Sequence, residues 1–293
     1  EKIKSVWTNP ALRGTSIFMV GNVVVSGLAF TYHFLLARLL GPHEYGILAA
    51  LFGLLYFVQV PINTVDFLIT KLISSFEAEK IVSHTRGLIS YLVQKVGLVS
   101  LLVFPVLLLL SKFVQNFLKL PEIGPVIAIW LFIYLLLIIT VLRAVLKAWL
   151  RFTDLVLNQI IEMVARLGLS VVFIYSVSAW YGWGLAGVIL ASLLVLFISL
   201  FQVREILSVP TDKFEHHKWP IKSLGIGGLV LSLAYTLMYS IDILLVKHFF
   251  SDYWTGIYAV LVTAGKVVYF AQSPLSTAMI PVVARKSQHP AHA

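Results

Sequence analysis

Eight uninterrupted apolar runs dominate the chain, each near the roughly 20 residues that a helix needs to cross a bilayer. They fall at about Thr15–Ala37, Tyr45–Phe67, Gly87–Leu110, Gly124–Leu146, Leu155–Val177, Gly182–Val203, Leu224–Val246 and Thr255–Val283. The runs are continuous, whereas a membrane β-barrel strand alternates apolar and polar residues over about ten positions. Only 12% of the 293 residues are charged and 59% are hydrophobic, against about 25% charged in soluble domains. That much apolar surface requires lipid as its solvent. The fold class expected is an all-α polytopic membrane protein with eight transmembrane helices, antiparallel where short connections join neighbours.

Lysine and arginine set the expected orientation. With the N-terminus in the cytoplasm, fifteen of the 22 fall on the inner side and four on the outer. The remaining three, Lys95, Arg166 and Lys266, fall within helices. Both termini are therefore expected to be cytoplasmic. The same bias accounts for the net charge of +9 without a nucleic-acid partner. The chain has no cysteine, which excludes disulfides, thiolate metal sites and cysteine nucleophiles. It opens on Glu1-Lys2-Ile3-Lys4 with neither methionine nor a signal-peptide pattern, as a processed piece or fragment would.

The chain also repeats itself. Phe34-Leu35-Leu36-Ala37-Arg38, a polar loop and Gly46-Ile47-Leu48-Ala49 are answered by Ile243-Leu244-Leu245-Val246-Lys247, a loop one residue longer and Gly256-Ile257-Tyr258-Ala259. His33 and Asp242 precede the basic residue by five in each copy, and Pro61-Ile62-Asn63-Thr64 is matched by Pro274-Leu275-Ser276-Thr277. A duplicated helix pair is a common mark of two-lobed transporters. The domains expected are a six-helix lobe over 1–207, a cytoplasmic linker over 208–222, and the first two helices of a second lobe over 223–293.

Three signals resemble chemistry that their context does not support. Gly182-Trp183-Gly184-Leu185-Ala186-Gly187 fits a dinucleotide pattern, which needs a preceding strand. Here it opens an apolar helix, where glycines permit close packing and Trp180, Tyr181 and Trp183 mark the interface. Gly265-Lys266 lacks the rest of a phosphate loop, and His216-His217 points its two side chains apart with no further ligand motif. No cofactor and no metal are expected, and scattered Ser, His and Asp residues form no nucleophile signature.

Ionisable residues inside a membrane cost from about 2.5 kcal/mol upward, so each needs a reason. Asn158, Glu162, Arg166 and Ser170 recur every four residues as one polar stripe, with Glu162 and Arg166 placed for an ion pair. Arg166 lies roughly 16 Å deep, Lys266 at a similar depth from the other face, and Lys95 about 12 Å in. These five, Asn158, Glu162, Arg166, Lys95 and Lys266, are the candidate substrate contacts. Asp66 and Asp242, read at helix ends, and the helix prolines Pro61 and Pro274 are candidates for coupling or gating.

Arg38-Leu39-Leu40-Gly41-Pro42-His43-Glu44-Tyr45-Gly46 resembles the first loop of O-antigen type polysaccharide flippases, of the multidrug/oligosaccharidyl-lipid/polysaccharide exporter superfamily. Asp242 through Ala259 resembles the matching point of their second lobe, and Gln159 to Arg166 their fifth helix. The resemblance implies two six-helix bundles around a central cleft. It also implies non-enzymatic, alternating-access transfer of polyprenyl-diphosphate-linked oligosaccharide across a prokaryotic cytoplasmic membrane. Such a chain would meet the lipid-linked oligosaccharide and membrane lipids, with a coupling cation as a further candidate partner. Here the pattern stops after two helices of the second bundle. The alternatives are a cation-coupled multidrug exporter, which would lean on deep carboxylates, and a membrane enzyme or polymerase of envelope glycans, which would need a large outer loop.

Overall fold

A computed structural model describes residues 10–78, 82–207, 233, 237 and 240–265. The described residues are helical and contain no strand. Five helices follow in order: α1 (Pro10–Ala78), α2 (Val82–Phe117), α3 (Gly124–Ala148), α4 (Phe152–Ser176) and α5 (Tyr181–Leu207). Two further helical runs cover 240–249 and 252–265. The linker at 208–222, its two histidines, Lys266 and Pro274 lie outside the described residues, as do the side chains of Lys95 and Pro61.

The first two expected helices are the arms of α1, and the break between them is sharper than a seven-residue loop. Gly41 takes φ 75° and ψ 171°, which a side-chain-bearing residue resists. Twenty helical residues would separate Tyr32 from Phe52 by about 30 Å, yet their ring centroids stand 6.2 Å apart. The arms therefore fold back on each other as a hairpin. The second arm stays helical through Pro61 and Asp66 to Ala78. Asp66 thus lies inside a helix, not at its end.

Among the described residues, four helices are long and apolar enough to cross a membrane, counting the α1 hairpin as one. Contacts are most extensive between α4 and α5, α1 and α4, α1 and α3, and α3 and α5. Leu36, Leu48, Leu51, Ile129, Val188 and Tyr181 are buried between them. Large apolar side chains also face outward, among them Leu101, Leu109, Phe113, Phe197 and Phe201, as suits lipid surroundings.

Between helices, small and polar groups allow close approach. A Cβ on Gly187 would come within 2.6 Å of the Ser170 backbone nitrogen. The Ser170 hydroxyl donates to the Gly184 carbonyl at 3.1 Å. Two glycines of the dinucleotide-like pattern thus serve the packing of α5 on α4.

Candidate substrate cavity

A cavity of about 340 Å³ opens between α1, α3 and α4. Both arms of α1 line it through Tyr32, His33, Phe52 and Asp66, α3 through Arg143 and Lys147, and α4 through Gln159, Glu162 and Arg166. Among the described residues of the wall, three of the Asp, Glu, Lys and Arg side chains are cations and two are carboxylates, one positive charge in excess.

Helical spacing builds the charged wall. Arg143 and Lys147 are four apart on α3, and Asn158 and Glu162 are four apart on α4, so each pair shares a face. The short connection at residues 149–151 turns those faces toward each other. Arg143 Nη2 donates to Glu162 Oε2 at 2.6 Å, and its Nε donates to Asn158 Oδ1 at 2.8 Å. Arg166 Nη2 donates to Glu162 Oε1 at 2.5 Å, the expected pair within α4. One carboxylate, its side chain 5% exposed, thus holds two guanidinium groups from two helices. Asn158 is fixed in turn by donating to Ser199 Oγ at 2.8 Å and Gln202 Oε1 at 3.1 Å, both on α5.

Nearer the other end of α1, Lys147 Nζ donates to Asp66 Oδ2 at 2.6 Å, tying α3 to α1. Arg166 Nε, Gln159 Oε1 and Asp66 Oδ1 are buried without a hydrogen-bond partner among the described residues. Such groups are costly unless something supplies the missing bond. The Arg166 guanidinium also stands 5.6 Å from the Phe132 ring centroid.

Glu162, Arg166 and Asp66 therefore share the cavity wall, while Asn158 does not line it and lies fully buried behind Arg143. Asp242 does not line it either: it accepts from the Tyr258 hydroxyl at 2.9 Å, within the second copy of the repeat. In the first copy, His33 Nδ1 and the Tyr45 hydroxyl share a hydrogen bond of 3.3 Å. Each copy thus holds its polar residue with a tyrosine from the following helix. Among the described residues no cluster of His, Cys, Asp or Glu could hold a metal ion.

Sequence reasoning missed Arg143, counted as a cytoplasmic flank of the fourth helix. Its partners lie 15 and 19 residues away on another helix. The signal that could have found it is the match of two four-residue spacings across a three-residue turn.

The two copies of the repeat meet directly. A Cβ on Gly46 would stand 2.1 Å from the Asp252 carbonyl oxygen, and one on Gly256 would stand 1.8 Å from the Pro42 carbonyl oxygen. Each glycine thus lets the other copy's loop backbone approach. Gly53 likewise packs on Ile243 and Leu244. The described residues thus form an apolar helical bundle with a charge-bearing cavity, its two repeat copies meeting along a seam, as expected of a two-lobed transporter.

Solved structures agree. A MOP superfamily transporter from Pyrococcus furiosus Vc1 (DSM3638) matches with TM-score 0.68 and 10% identity, over 91% of this chain and 62% of that one. The MATE multidrug transporter DinF-BH matches with TM-score 0.64 and 16% identity, over 96% and 64%. This chain spans less than two thirds of either length. No curated protein matches it. The chain belongs to the family described as polysaccharide biosynthesis protein, whose model matches residues 11–287.

Proposed function

We propose that this chain forms part of a flippase that moves polyprenyl-diphosphate-linked oligosaccharide across a prokaryotic cytoplasmic membrane by alternating access, with no chemical step. The observation that carries the reading is the pair of guanidinium groups, Arg143 and Arg166, converging on Glu162 in a cavity whose described wall carries one cation in excess. A diphosphate entering from lipid needs fixed positive charge, and arginine offers a planar fork for two phosphate oxygens. Arg166 Nε, buried and without a hydrogen-bond partner among the described residues, supports this reading. Lys266, from the second lobe, is proposed to meet the same anion from across the cleft, with Lys95 as a further contact. Asp66, Asp242, Pro61 and Pro274 remain candidates for coupling or gating.

The charge bias supports eight crossings with both termini cytoplasmic, six helices in the first lobe and two in the second. A second reading, a cation-coupled multidrug exporter, draws on the likeness to DinF-BH. The cavity charge disfavours it, because the two carboxylates on its described wall, Glu162 and Asp66, are already paired with cations.

Complementation of glycan export in a strain lacking its flippase tests the choice, using a full-length relative carrying these residues. Arg143→Ala, Arg166→Ala and Lys266→Ala should each abolish export at unchanged protein levels. Arg166→Lys should be less tolerated than Lys266→Arg, because lysine loses the fork. Normal export by an Arg166→Ala, Lys266→Ala double variant would place the diphosphate elsewhere.

A further inference from the structure

The seam between the two copies of the repeat carries a second cluster of charge, separate from the cavity. Lys247 is fully buried and ion-paired with Asp252 inside the second copy. Asp252 Oδ2 also lies 3.5 Å from His43 Nε2 in the first copy. The other ring nitrogen, Nδ1, lies 3.4 Å from Glu44 Oε1. Glu44 is anchored in turn, its Oε2 accepting the Tyr181 backbone N–H at 3.0 Å at the start of α5. An imidazole therefore stands between two carboxylates, one on each hairpin.

We propose that His43 is a proton-operated latch between the two repeats. Protonated, it bridges Glu44 and Asp252 and holds the seam closed; neutral, it releases one of the two and loosens the seam. Imidazole is the side chain whose ordinary charge change falls between pH 5 and 8.

Two carboxylates face its ring, and further groups stand behind them. Glu44 belongs to its own hairpin, while Asp252 and Lys247 come from the second copy. Tyr181, at the start of α5, holds Glu44 through its backbone N–H. Two other histidines lie at the seam: His33 shares its Nδ1 with the Tyr45 hydroxyl, while His248 Nδ1 donates to the Phe117 carbonyl at 2.8 Å and its ring stacks on Phe117 at 4.5 Å. Neither ring is shown against a carboxylate, so neither supplies a second bridge of this kind among the described residues. The glycine contacts of Gly46 and Gly256 set how close the hairpins come, and the latch sets how often they stay there.

The proposal rests on the two-lobed reading, but its test measures a distance and not transport, so a failed latch and a failed flippase are distinguishable. The chain has no native cysteine, so spin labels at Phe34→Cys and Leu261→Cys, both exposed, report on the two hairpins alone. Double electron–electron resonance in lipid nanodiscs should give mainly the short distance at pH 5.5. At pH 8 the ratio of short to long distances should fall roughly threefold, the scale of a partly exposed ion pair. His43→Gln should show the pH 8 distribution at both values, and His43→Lys the pH 5.5 distribution at both. His43 is exposed, so neither substitution threatens folding. A wild-type distribution that ignores pH overturns the latch. A pH response that survives in either His43 variant overturns it equally.

Discussion

Glu162 offers the sharpest test of how the cavity wall is held. Its side chain is 5% exposed, against 13% for Arg143 and 16% for Arg166, so the three charges are shielded from water. Glu162→Ala removes the common partner and leaves two guanidinium groups facing each other across α3 and α4. Breaking a buried pair in this way costs about 3–5 kcal/mol. The low end is appropriate here, because Arg143 keeps its bond to Asn158 and the cavity gives both arginines an outlet. About 3 kcal/mol lowers the folding equilibrium roughly a hundredfold.

Arg166→Ala differs in kind, since Glu162 keeps Arg143 and no charge is stranded. Its cost should be about 1–2 kcal/mol. Replacing all three together, as Arg143→Met, Glu162→Leu and Arg166→Met, removes every charge of the triad and should come within about 1 kcal/mol of wild type. Unfolding titrations in mixed dodecylmaltoside and SDS micelles, followed by tryptophan fluorescence, would measure the series. The reasoning fails if Glu162→Ala costs under about 1 kcal/mol, or if Arg166→Ala costs as much as Glu162→Ala.

Gly46→Ala and Gly256→Ala should each push the hairpins apart, at about 1–3 kcal/mol of overpacking, and lengthen the spin-label distance across the seam at every pH. Asp252→Asn should destabilise by about 3 kcal/mol, because it strands the buried Lys247 ammonium; adding Lys247→Met should recover most of that in the same titrations. Reporter fusions after Lys119 and after Asp252 should read extracytoplasmic and one after Lys218 cytoplasmic; a reversed reading at Lys218 would mean a wrong helix count.

Much of this architecture is legible in the residues, because lipid imposes a simple code. Apolar runs of fixed length must be helices, and the Glu162–Arg166 pair follows from a spacing of four on one of them. The fold-back at Gly41 is harder, since a polar stretch reads as a loop of several residues, while a single glycine with φ 75° reverses the chain with helix on either side. Arg143 escapes for another reason. A cation in the last turns of a helix has the look of an interfacial anchor, and only the facing of α3 against α4 supplies its carboxylate. Asp66 is hidden by distance, its partner Lys147 lying 81 residues away. Periodicity reports what shares a face, not what that face meets.

The reciprocal packing of Gly46 and Gly256 is the geometry of a two-fold dimer interface written within one chain. If two identical half-length chains met this way, one glycine would serve both sides of the contact, and any substitution would act twice. Duplication frees the sides to differ, and here they do. The first copy carries an exposed Arg38 where the second buries Lys247, and His33 where the second has Asp242. The shared backbone contact constrains how the halves meet, while the charges around it evolve separately on each side. A pseudo-symmetric seam can thus stay fixed in shape while each half acquires its own response to charge.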